Sequence, residues 1–96
     1  MSEKNTENIK KILDEFIRKQ SYKKRLLATR IYELWKDLMG ETIMPYTQEI
    51  KYKNGTLYVY LSSAALREEL NRGKDKIINL LNENLGENII QKIVFL

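Results

Sequence analysis

Cysteine and histidine are both missing from the 96 residues. Without cysteine there are no disulfides, no thiolate nucleophiles and no Cys-based zinc sites, and an unstapled chain of this size suits a reducing cytoplasm. Without histidine the commonest general base and the commonest metal ligand are gone, so catalysis would need an unusual site. Proline occurs once, and the four glycines, at positions 40, 55, 73 and 86, form neither a Walker pattern nor a dinucleotide fingerprint. No run approaches the roughly 18 apolar residues of a membrane span, and the polar start Met1–Asn8 lacks the apolar segment of a secretory signal. The carboxylate pairs Asp14–Glu15 and Glu68–Glu69 are adjacent on expected helices and point apart, as solvated surface residues do. These absences lead to the expectation of a cytoplasmic protein that is not an enzyme, with no cofactor, metal, membrane association or small-molecule substrate.

What is present is an ordinary globular composition, 43% hydrophobic and 31% charged. A chain of this length closes one modest core, so residues 1–96 are read as one domain with a flexible start at 1–5. From Thr6, a candidate N-cap, apolar residues recur at Ile9, Ile12, Leu13, Phe16 and Ile17, the spacing of one helix face. A break is expected around Gln20–Tyr22. A second helix then carries Leu27, Ile31, Leu34, Trp35 and Leu38 up to Gly40, placed as a left-handed residue after the helix end. Trp35 sits on the apolar stripe and reads as core.

After Pro45, Thr47–Lys53 and Thr56–Ser62 flank Asn54-Gly55, the strongest short-range signal for a tight hairpin. With those two residues as the loop, Lys53 faces Thr56, Tyr52 faces Leu57, Lys51 faces Tyr58, Ile50 faces Val59 and Glu49 faces Tyr60. Ile50, Tyr52, Leu57, Val59 and Leu61 then share one face, and Glu49, Lys51, Lys53, Tyr58 and Tyr60 the other. Ser62 or Ser63 caps a third helix that runs to Gly86, with Gly73 as a kink or a break. The apolar tail Asn88–Leu96 reads as a strand beside the hairpin. The expected architecture is α+β in the order α-α-β-β-α-β, a three-stranded sheet with helices on one face.

Net charge is +4, and the excess is local: Arg18, Lys19, Lys23, Lys24, Arg25 and Arg30 lie between Phe16 and Tyr32 with no acidic residue among them. Such a cluster binds phosphate backbones by charge neutralisation, or merely solvates a helix face. Lys51, Lys53, Tyr58 and Tyr60 on the outer hairpin face mix cations with rings that stack on unpaired bases, although cross-strand packing accounts for the same residues.

The segments Arg30–Gly40, Tyr46-Thr47, Asn54–Ser63 and Leu66–Leu70 together resemble the DciA family, bacterial accessories of the replicative helicase. The shared elements are Trp35 with Gly40, Gly55 with Leu57 and Val59, Ser62 with Ser63, Glu69 with Leu70, and Asn82 with Leu85 and Gly86. The resemblance covers nearly the whole chain. It implies a KH-like fold of the type II kind, and a protein that binds DNA and the replicative helicase and helps place the helicase on single-stranded DNA. Two departures stand out: the flexible extension of longer members does not follow Leu96, and there is no Gly-x-x-Gly loop with which KH domains clamp nucleotides. Contacts would then rest on the basic residues and tyrosines named above. An RNA-binding module of the ribosome-assembly type and a protein-interaction adaptor without nucleic-acid binding are the alternatives.

Overall fold

The computed structural model describes residues 2–96, with side-chain surroundings from Thr6 onward. Its elements are α1 (Ser2–Ile43), a 3₁₀ turn (Met44–Tyr46), β1 (Thr47–Lys53), β2 (Thr56–Leu61), α2 (Ala64–Arg72), α3 (Lys74–Leu85) and β3 (Lys92–Phe95).

The expected break at Gln20–Tyr22 does not exist, and Thr6 lies inside the helix instead of capping it. No glycine or proline interrupts residues 2–39, and Gln20 with Lys23–Arg25 are good helix formers, so the backbone continues where the apolar pattern lapses. The lapse marks where the helix leaves the core. Gly40 has the expected positive φ, but at φ 68°, ψ −171° it kinks the helix instead of ending it, and helical backbone resumes to Ile43. That region of backbone space is open essentially to glycine alone. The 42 residues of α1 span about 63 Å at the helical rise, which accounts for the molecule's long dimension of 64 Å against 25 and 19 Å across.

Asn54 and Gly55 both take positive φ, 48° and 82°, and the hairpin forms in the expected register. A bulge between Thr47 and Glu49 ends the regular ladder. The central strand is β2, antiparallel to β1 and parallel to β3. The tail is a shorter strand than expected, beginning at Lys92; Gln91 and Lys92 donate their amides to the Gly55 carbonyl at 2.8 and 3.2 Å.

Ser63 caps α2, its hydroxyl accepting from the Leu66 amide at 3.2 Å. Gly73 separates α2 from α3, and Gly86 at φ 77°, ψ 9° closes α3 in the left-handed conformation. The realised order is therefore α-β-β-α-α-β: one helix where two were expected, and two where one was expected to kink or break.

The helices pack one face of the sheet. Ile31 and Trp35 of α1, Leu57, Val59 and Leu61 of β2, Leu81 and Leu85 of α3, and Ile90 and Ile93 near the C-terminus are buried together. Trp35 is fully buried; its indole N–H donates to Thr47 Oγ1 at 3.2 Å, and its ring lies 6.2 Å from that of Phe95. The Thr47 hydroxyl in turn donates to the Ile43 carbonyl at 3.2 Å, so the polar edge of the indole is satisfied at the bulge. No described helix is long and apolar enough to cross a membrane.

Candidate nucleic-acid interface

A helix turns about 100° per residue, so a run of cations is spread around its circumference. The basic cluster of α1 is divided in this way. Lys24 and Arg25 face the free edge of β1, where they meet Lys51 and Lys53 around a groove of about 740 Å³ floored by Ala28, Ile50 and Tyr52 and closed by Asn54. No carboxylate lines it. Two cations of α1 and two of β1, more than twenty positions apart in the chain, line this one groove, and all four are exposed.

The other helix cations go elsewhere. Arg18, Lys19 and Lys23 line a shallow trough with Tyr22 and Leu26 on the projecting part of α1. Arg18 is ion-paired with Glu15, and its hydrogen bond holds that carboxyl below the usual carboxylate range. Arg30 donates to the Leu85 carbonyl at 3.1 Å, satisfying the C-terminal end of α3. Its place is structural, away from the groove.

Tyr58 and Tyr60 are half-buried on the outer sheet face, Tyr58 opposite Lys51 and Tyr60 opposite Glu49. Lys51 Nζ lies 5.8 Å from the Tyr60 ring centre and 3.6 Å from Glu49 Oε1. Both partners of that ion pair are more than half exposed, so it is a weak pair that a phosphate can displace. Tyr58 also lies opposite Val94, and Lys92 opposite Thr56 on the same outer face. Lys92 was not among the expected contacts. Its signal is the alternation Lys92-Ile93-Val94, which turns Lys92 outward once Ile93 is buried.

A second groove, about 510 Å³, runs between α2 and β3 and is lined by Arg67, Asn71, Lys74 and Lys92, with Glu68 among them. Arg67 donates to the Leu61 carbonyl at 2.8 Å, and Glu68 pairs with Arg72. This surface is of mixed charge. Among the described residues no group of His, Cys, Asp and Glu is placed to hold a metal ion.

The family described as "Dna[CI] antecedent, DciA" matches residues 8–95. The chain belongs to the DciA family. That family is associated with helicase loading in DNA replication. No curated protein and no solved structure matches the chain. The DciA match takes in α1 from Asn8, both strands of the hairpin, α2, α3 and β3, so the groove and the outer sheet face both fall within it.

Proposed function

We propose that this chain is a DNA-binding accessory of replication that associates with the replicative helicase and assists its loading on single-stranded DNA. Membership of the DciA family supports the helicase role. The observation that supports the DNA contact is the convergence of Lys24, Arg25, Lys51 and Lys53 on one groove. In this reading the strand's phosphates lie along the groove, and bases reach over β1 to stack on Tyr58 and Tyr60. Lys92, opposite Thr56 on the outer sheet face, extends the positive track across the sheet.

The protein acts by binding, in the cytoplasm, and catalyses no reaction. Its fold is KH-like in the type II sense, a reading supported by the α-β-β-α-α-β order with a three-stranded mixed sheet. The junction between α2 and α3 reads Asn71-Arg72-Gly73-Lys74, with one glycine where a clamp would need two. Side chains, not a backbone clamp, therefore make the contact.

Fluorescence anisotropy of labelled single-stranded DNA, duplex DNA and hairpin RNA, at low and near-physiological salt and with or without replicative helicase, tests this reading. Salt-sensitive DNA binding that changes with helicase is the expected result. Preference for hairpin RNA, or no nucleic-acid binding at low salt, would overturn it.

A further inference from the structure

β1 lies at one edge of the sheet and is bonded to β2 on one side only. With a two-residue loop, Lys53 and Thr56 form a hydrogen-bonded pair, and bonded and non-bonded pairs alternate along the ladder from there. Tyr52–Leu57 and Ile50–Val59 are therefore non-bonded pairs. The Leu96 amide donates to the Val59 carbonyl at 2.8 Å, so Val59 turns its backbone groups toward β3, and Ile50, opposite it, turns its own toward the free edge. Among the described residues no backbone bond outside the ladder reaches Ile50 or Tyr52. Two amides and two carbonyls thus stand open along β1, beside the groove that Ile50 and Tyr52 help to line. We infer that this edge takes an extended acidic segment of a partner protein as a fourth strand.

The groove selects that chemistry in two ways. Lys24, Arg25, Lys51 and Lys53 line it without a carboxylate, and Glu49, the one acidic residue of β1, is paired with Lys51 outside it. Side chains directly opposite one another in a sheet share a face. Acidic residues of an added strand therefore belong opposite Lys51 and Lys53, and apolar ones opposite Ile50 and Tyr52. A segment that alternates acidic and apolar residues matches both faces at once. The edge of a second copy carries the same excess of cations and is repelled. A DNA phosphate accepts from the two amides but offers the two carbonyls no donor, whereas a peptide backbone supplies both. About five residues, roughly 17 Å of strand, cover Ile50 to Asn54.

This groove is the one assigned above to DNA phosphates, so an acidic strand and DNA exclude one another there. The peptide contact itself does not depend on DNA binding. Where DNA is bound, the strand releases it.

Fluorescence anisotropy of the labelled peptide acetyl-Glu-Val-Asp-Ile-Glu-Val-Asp-amide, titrated with the full chain at low salt, is the test. Saturable binding is expected. A peptide of the same composition with its acidic and apolar residues segregated should bind about tenfold or more weakly. N-methylation of one alternate set of peptide amides should abolish binding and of the other set spare it, because only alternate amides face β1. Lys51→Glu with Lys53→Glu should weaken binding at least about tenfold and leave the circular dichroism melt unchanged. No binding of the alternating peptide, equal binding of the segregated one, or indifference to which amides are methylated overturns the inference. DNA binding without peptide binding overturns it and leaves the DNA reading in place. Peptide binding without DNA binding supports it and removes the DNA reading.

Discussion

Asn82 holds both backbone groups of Ile90: its Nδ2 donates to the Ile90 carbonyl at 2.8 Å, and its Oδ1 accepts from the Ile90 amide at 2.9 Å. Asn82 is 7% exposed, and this reciprocal pair ties α3 to the segment that leads into β3. Replacing it with alanine leaves two buried backbone groups unsatisfied, so Asn82→Ala should destabilise the fold by about 3 kcal/mol in urea denaturation. Asn82→Asp keeps the acceptor and sets a carboxylate oxygen against the carbonyl. Burial and that contact favour the protonated form, so its folded pKa is raised. The deficit should therefore shrink as pH falls through the carboxylate range and be full at neutral pH.

Gly55 is constrained twice. Its φ is 82°, and a Cβ there would lie 3.2 Å from Oε1 of Gln91. Gly55→Ala should cost about 1–2 kcal/mol by thermal melting. Gln91→Ala in the same background should recover only the steric part, because the backbone strain persists.

The groove makes a quantitative claim about salt. Each phosphate contact on a single strand contributes about 0.7 to the slope of log affinity against log salt. Lys24→Ala with Lys53→Ala should lower that slope by about 1.4 and weaken binding equally across sequences. Arg30→Ala should leave the slope unchanged while lowering the melting temperature, since Arg30 is bonded to the Leu85 carbonyl.

Tyr60 presents its ring beside Lys51 on the outer sheet face, and the proposed stacking of bases there can be tested. Tyr60→Ala should weaken single-stranded DNA binding by about 1–3 kcal/mol, and Tyr60→Phe should preserve it. Equal losses in both variants, read by the same anisotropy titration, would assign the hydroxyl rather than the ring.

The hairpin shows how far local chemistry reaches. Every expected pair from Lys53–Thr56 to Glu49–Tyr60 is formed, because a two-residue loop of Asn54 and Gly55 leaves one register and a period of two sorts the faces. The caps and stops at Ser63, Gly73 and Gly86 were legible for the same reason: each depends on a residue's own backbone or hydroxyl. The continuity of α1 was not. A lapse in apolar spacing at Gln20–Tyr22 looks alike whether a helix ends or merely leaves its core, and only packing from Leu27 onward separates the two.

The candidate site divides along the same line. Residue types alone established a basic protein without cysteine or histidine, a hairpin with a Lys-Tyr outer face, and a buried Trp35. Tertiary structure decided which cations are neighbours. It brought Lys24 and Arg25 to Lys51 and Lys53 across the edge of β1, turned Arg30 to the end of α3, and gave Asn82 its partner eight residues along the chain. Local sequence sets φ, ψ and period, because those depend on near neighbours. Which side chains converge depends on how whole elements are oriented, and that is set by the core they jointly bury.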